Sequence, residues 1–174
     1  MNTPPIPRLK VIGVGNEWRG DDAVCLLVVR RLKADQLAEV QIAECRGTVT
    51  AVREAWNDAA GVIVVDAVVS GGRPGAIYRF NAHGGGLPVQ LSRSPSSHGW
   101  GVAEALALGQ LFQELPPYLI FYGIEGQNFG PGQEVSQVVE AAIPEAVHRI
   151  RREIQTWLGR EASKGHPPRI GEQS

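Results

Sequence analysis

Residues 10–22 read KVIGVGNEWRGDD, from Lys10 to Asp22. Val11, Ile12 and Val14 form an apolar run without alternation, as a parallel strand does when both its faces are covered. Gly13 and Gly15 then permit a tight turn or a close approach of backbone. The following AVCLLVVRRLK carries Val24, Leu27, Val28 and Leu32 at helical spacing. Strand, glycine turn and helix in that order open an α/β unit, with Asp21 and Asp22 where the strand hands over to the helix. Ligands of open parallel sheets bind in the crevice at the strand carboxyl ends, so Asp22 is the reference point for every other candidate.

The pattern repeats downstream. Residues 40–44 read as a second strand and Cys45-Arg46-Gly47-Thr48 as a turn. Thr48 is placed to cap a helix over 49–60 that gathers Val52, Ala55, Trp56 and Ala59 on one face. GVIVVDAV is the most continuously apolar segment, a central strand expected to end at Asp66. SGGRPG is a turn, and its shortness suits antiparallel pairing of the next strand, AIYRF. Residues 81–97, rich in Gly, Pro and Ser, form a long loop of a length usually functional or disordered in a compact domain.

His98 closes that loop before a helix, GVAEALALGQLF, that hides Val102, Ala105, Leu106 and either Leu108 or Gly109. Pro116 and Pro117 stop the helix, and YLIFYGI is a further buried strand. A glycine-rich loop over 125–132 leads into an amphipathic helix with Val135, Val138, Val139, Ala142, Ile143, Ala146, Ile150 and Ile154 in register, kinked or split at Pro144. The fold expected is α/β: a three-layer α/β/α sandwich around a mostly parallel, twisted sheet with one antiparallel strand. It occupies residues 9–158 as a single domain, with flexible segments at 1–8 and 159–174.

Composition excludes several function classes. The formal net charge is -1, and the 17 Lys and Arg residues form no continuous basic stripe, which argues against nucleic-acid binding through phosphates. The basic density from Arg149 to Arg152 reads as a solvated helix face. No apolar run is long enough to span a bilayer, and MNTPPIPRLK carries prolines where a signal peptide needs an apolar stretch, so a cytoplasmic protein without membrane contact is expected. Cys25 and Cys45 are expected to be free thiols in a reducing compartment.

Gly13-Val14-Gly15 opens like a dinucleotide fingerprint but has Trp18 where the third glycine belongs, and two aspartates at the helix start would repel a pyrophosphate. No Walker lysine, nucleophile elbow or HExxH helix is present. Asp22, Asp66 and His98, by contrast, each lie near the end of a strand or the mouth of a helix on the carboxyl side of the sheet. Two carboxylates and an imidazole make a mixed oxygen and nitrogen ligand set that suits zinc or nickel and leaves coordination positions open. Singly, each has a structural explanation: an Asp at a helix start is usually a cap, which fits Asp21 better than Asp22. His83 is the rival imidazole, whereas His148 and His166 lie on the last helix and in the tail.

Four stretches, GVGNEWRGDDAV, VVDAVVSGGRPG, SSHGWGVAEALALG and YGIEGQNFGPGQEVSQVVEAAIPEAV, occur in the order of a known family. Over residues 9–158 the chain resembles the hydrogenase maturation endopeptidases, which remove a C-terminal peptide from the large subunit of nickel-iron hydrogenase after nickel insertion. The resemblance implies an α/β/α sandwich and a peptidase, with Asp22, Asp66 and His98 as metal-binding and catalytic residues. It implies nickel supplied by the substrate, which zinc or cadmium would replace in vitro, and the hydrogenase large-subunit precursor as partner. In the family an Asp-Gly-Gly-Thr-like loop helps to read the substrate. Here that loop is Cys45-Arg46-Gly47-Thr48, which makes Arg46, Gly47 and Thr48 substrate-binding candidates with reversed charge.

Trp18 and Trp100 flank the site as candidate anchors, and Glu17 and Glu125 are the available general bases. The loops at 17–20, 46–48, 81–97 and 125–132 are expected to engage the partner. The competing readings are a metal-dependent binding module or chaperone that recognises a nickel metalloprotein without cutting it, and a nucleotide-dependent or peptidyl-tRNA-type hydrolase, which lacks its basic features here.

Overall fold

The computed structural model describes residues 9–85, 87, 88, 91 and 101–164. Five strands, β1 (Leu9–Val14), β2 (Val40–Cys45), β3 (Gly61–Val68), β4 (Ile77–Asn81) and β5 (Tyr118–Glu125), form one sheet in the order β2-β1-β3-β5-β4. The first four in that order run parallel and β4 pairs antiparallel with β5. The α/β architecture with a single antiparallel strand is therefore the one expected. The short turn after β3 does not make a hairpin, however: β4 reaches past β5 to the sheet edge, and β5 fills the place beside β3.

Helices α1 (Val24–Lys33) and α5 (Ile143–Lys164) cover one face, and α2 (Val49–Trp56) and α3 (Val102–Leu111) the other. Alternation along β3 explains its apolar run. Ile63, Val65 and Ala67 join the α1/α5 layer, whereas Val62, Val64 and Val68 join the α2/α3 layer, so both faces are dry. Each such fully buried aliphatic side chain contributes roughly 1.5–3 kcal/mol.

Several boundaries differ from the expectation. Asp66 does not terminate β3; two further residues continue the ladder, with Asp66 opposite Gly123 and Val68 opposite Glu125. The C-terminal segment splits near Pro144, as foreseen, into α4 (Gln137–Glu140) and α5, because a proline missing its N–H is tolerated in a first turn. Val138 is not part of the buried face but is 45% exposed on the short α4. In α3 it is Gly109, with Val102, Ala105 and Leu106, that is buried. Helix α5 also continues past Leu158 to Lys164, into the stretch read as a tail.

β1 leads through α1 to β2 on one side, whereas β3 leads on to β4 and β5 on the other. The carboxyl ends of β1 and β3 are thus the topological switch point of the sheet, where a crevice opens. Asp22 follows the first of these strands and Asp66 lies near the end of the second.

Candidate active site

The turn after β1 is built by close backbone approach. A Cβ on Gly15 would collide with the Asp22 carbonyl, and Gly20 adopts φ +57°, which places it against Asn128. Residues 20–23 then form a single 3-10 turn before α1. Asp21, fully buried, does not cap this helix as its position suggests. Its carboxylate turns away and accepts hydrogen bonds from the amides of Gln127 (2.8 Å), Asn128 (2.9 Å) and Ser136 (2.6 Å) and from the Ser136 hydroxyl (2.8 Å). Burial alone would raise its pKa, but these donors outweigh it and hold the carboxyl below its usual range. Together with Asp21 N–H donating to Asn128 O (2.7 Å) and Gly132 N–H to Trp18 O (2.7 Å), they bind the loop after β5 to the loop after β1.

Asp22 is half-buried beside this anchor and Asp66 is 9% exposed. Because Val64 and Val68 face α2 and α3, Asp66 projects to that side at the carboxyl end of the sheet. Burial pushes the Asp66 carboxyl well up, the Asp22 charge pushes it further, and Glu104 adds to this; among the described residues only the Ala67 amide favours the ionised form. Asp22 is also raised by burial, against a partial offset from Arg19 and the Asn16 amide. Two neighbouring carboxylates without a hydrogen-bonded cation among the described residues constitute a site of unmet negative charge. A divalent cation is the ligand that such a donor pair fits.

Glu104 escaped the sequence reading. It lies in the first turn of α3 and its carboxylate accepts the Gly101 N–H at 2.6 Å, fixing the helix start that follows His98. A glutamate three residues into a helix is a recognisable capping signal, but its reach to Asp66 depends on the folding of α3 over β3. His98 and Trp100, as well as most of the 81–97 loop, lie outside the described residues. Among the described residues no group of three His, Cys, Asp or Glu side chains is gathered as a metal site.

The rival candidates are committed elsewhere. His83 shares a hydrogen bond with Pro116 O (2.8 Å), at the amino end of β5 and so at the opposite edge of the sheet. Glu125, 1% exposed, accepts from Ser70 N (2.8 Å), Ser70 Oγ (2.5 Å) and Gly71 N (3.1 Å), which occupies both its oxygens in holding the turn after β3. Glu17 is drawn to Arg30 (3.4 Å), which Glu44 grips at 2.8 Å. Neither glutamate is a free base at the aspartate pair.

Beside the pair, Gly15, Asn16, Glu17, Trp18, Leu26, Arg30, Glu44, Cys45 and Arg46 line a cleft of about 190 Å³. Arg46 is exposed there and Trp18 is 71% exposed. Gly47 does not line the cleft, and Thr48 Oγ1 accepts the Ala51 amide at 3.2 Å as the cap of α2, the use of Thr48 that the sequence also suggested. Both cysteines are free. Burial and the Asp66 charge push the Cys45 thiol up to about 12, and Cys25 is raised well above its usual value, so neither supplies a thiolate near neutrality.

Among the described residues no helix is long and apolar enough to cross a membrane. The profile of the HycI family, described as hydrogenase maturation protease, matches residues 28–153. Comparison with curated proteins gives no match. Among solved structures, the hydrogenase maturating endopeptidase HybD from E. coli superposes with a TM-score of 0.71 at 23% identity, over 86% of this chain and 93% of that one. An endopeptidase from Escherichia coli gives 0.66 at 27% identity, over 82% and 89%. A hydrogenase 2 maturation peptidase from a Thaumarchaeota archaeon gives 0.63 at 26%, over 84% and 97%. With the family profile spanning most of the sheet and its helices, the chain belongs to the hydrogenase maturation protease family and is a peptidase.

Proposed function

We propose that this peptidase removes the C-terminal peptide of a nickel-iron hydrogenase large-subunit precursor, and that Asp22 and Asp66, joined by His98, recognise the nickel already carried by that substrate. The observation that carries this reading is the aspartate pair at the switch-point crevice, both carboxyls raised by burial and Asp66 further by the Asp22 charge, with no hydrogen-bonded cation among the described residues. A site in that condition binds weakly to a precursor without metal and strongly to one that presents a divalent ion. Maturation is thereby checked before the bond is cut.

The nickel belongs to the substrate and supplies Lewis acidity near the scissile carbonyl. This chain's residues do the rest. Asp66, deep and held by its strand, fixes the substrate's position. Asp22, the more exposed of the two, is placed to take the proton of the attacking water, since Glu17 and Glu125 are engaged elsewhere. That proton passes to the amine released when the C–N bond breaks. Arg46 and Trp18, on the rim of the neighbouring cleft, meet the substrate segment around the cut, with the guanidinium selecting an acidic or carboxyl-terminal group.

The test is mass spectrometry of the cognate large subunit, with and without nickel, after incubation with a substoichiometric amount of this protein. Loss of one defined C-terminal peptide from the nickel-loaded form alone, over many turnovers, is expected, and Asp66→Ala or His98→Ala should abolish it with the fold intact. Full cleavage by both variants would overturn the assignment. An intact subunit that copurifies with the protein would favour the non-cutting binding module for this substrate.

A further inference from the structure

The basic run on the last helix is solvent-exposed, as expected, and it has a counterpart on the neighbouring sheet edge. Arg79 from the edge strand β4 stands opposite it, and with Arg149, Arg152, Arg160, His148 and Thr156 it walls an open groove of about 600 Å³. The groove is built around Glu153, which is 8% exposed. That carboxylate accepts from Arg79 Nε (2.6 Å) and Nη2 (2.8 Å), from Tyr122 OH (2.9 Å) and from Tyr118 OH. Arg79 is thus held in one orientation, its Nη1 makes no hydrogen bond among the described residues, and its side chain is 47% exposed.

Arg149 bridges the two walls, donating from Nε to Glu145 (2.7 Å) and from Nη1 to Ile77 O (3.4 Å). Arg152 and Arg160 are exposed, and neither side chain makes a hydrogen bond or ion pair among the described residues. The lining therefore holds four guanidinium groups against the two carboxylates of Glu145 and Glu153, on a chain whose formal net charge is -1.

We propose that this groove docks an acidic, extended segment of a partner protein, apart from the site of cleavage. Arg149 to Arg160 spans about 16 Å of helix at 1.5 Å per residue. An extended chain covers that distance in about five residues. Carboxylates spread along such a segment meet the guanidinium groups one by one, whereas a compact phosphate would meet only a part of them. Among the described residues no glycine lines the groove to form the cradle of backbone amides that an inorganic phosphate site would favour, and the first turn of α5 presents the Glu145 carboxylate there. The phenol ring in its lining, Tyr122, is 2% exposed and offers no face for stacking a base, which leaves His148 as the one exposed ring there among the described residues.

The groove is also separate from the aspartate pair. Tyr122 and its register partner Val65 belong to the α1/α5 layer, whereas Asp66 projects to the other face, with β5 between β3 and Arg79 on β4. A partner held here is tethered while another part of it enters the crevice.

The test is fluorescence anisotropy of the full chain with a labelled oligoglutamate of about ten residues, long enough to span the arginines. Binding is expected, weakened at least about tenfold by the double variant Arg152→Glu/Arg160→Glu and by raising salt from about 50 to about 300 mM. Both positions are exposed, so the thermal midpoint should not move; Arg152→Gln/Arg160→Gln serves if the charge reversal impairs folding.

No binding, or binding that both variants leave unchanged, overturns the proposal. So does tighter binding of an oligothymidylate of equal charge, or complete displacement by millimolar inorganic phosphate. The measurement needs neither nickel nor cleavage, so its failure is distinct from failure of the endopeptidase reading.

Discussion

Asp66 and Glu153 are almost equally buried, at 9% and 8% exposure, yet their environments act in opposite directions. Around Glu153 burial would raise the carboxyl, but Arg79, Tyr118 and Tyr122 outweigh it and hold the pKa below its usual value. Around Asp66 burial is reinforced by Asp22 and Glu104, and among the described residues only one amide opposes it. Glu153 has every need met from within the chain, as structural buried charges do. Asp66 is supplied with repulsion instead, which in the function proposed above the substrate's metal ion relieves. Asp21 belongs with Glu153 in this respect, because four donors from one loop satisfy it although it is the immediate neighbour of Asp22.

The largest difference should appear on neutralising the two carboxylates in turn. Asp66→Asn is expected to lose precursor processing by three orders of magnitude or more, on the order of 4 kcal/mol in transition-state stabilisation. Its thermal midpoint, read by calorimetry, should stay level or rise, since a buried repulsion is relieved. A fall of several degrees would mean that Asp66 is a structural residue like Glu153.

Asp21→Ala should have the largest effect on stability, about 3–5 kcal/mol in denaturant unfolding, because it strands the amides of Gln127, Asn128 and Ser136 without an acceptor. Glu153→Gln should cost about 2 kcal/mol, or about 4–8 °C for a chain of this size, with processing retained.

Glu153 also contributes to the acid limb of stability. Its folded pKa lies below the ordinary 4.5, so its contribution is fully present above that value and is lost as pH falls through the folded pKa. The Glu153→Gln variant should therefore lose less stability than the wild type between about pH 5 and pH 2 in urea titrations. An identical acid limb in both proteins would remove Glu153 from the ionised set. Smallest of all, Tyr122→Phe should cost about 1 kcal/mol, since Glu153 keeps its remaining donors. Indifference of the midpoint to that change would show that the ring packs without its hydroxyl being needed.

The elements of the sheet were legible from residue order because their signals are local. GVIVVDAV has to be covered on both faces, Thr48 precedes a helical face, and Pro144 can stand only where a helix begins. The placement of Asp22 and Asp66 was legible for the same reason: each lies near the carboxyl end of a strand, and that edge is common to all parallel strands. Other features depend on which groups meet across the fold. Asp21 looks like a helix cap until the loop before α4 comes back to claim it, and Glu125 looks like a general base until Ser70 and Gly71 do the same.

His83 is as good an imidazole as any until β4 runs antiparallel and carries it to the far edge. Arg79 and the arginines of α5, some seventy residues apart in the chain, become one groove only when α5 packs beside an edge strand. Periodicity and turn chemistry act over a few residues and can be read in order along the chain. Whether a buried charge is satisfied depends on partners brought from a hundred residues away, and packing alone supplies them.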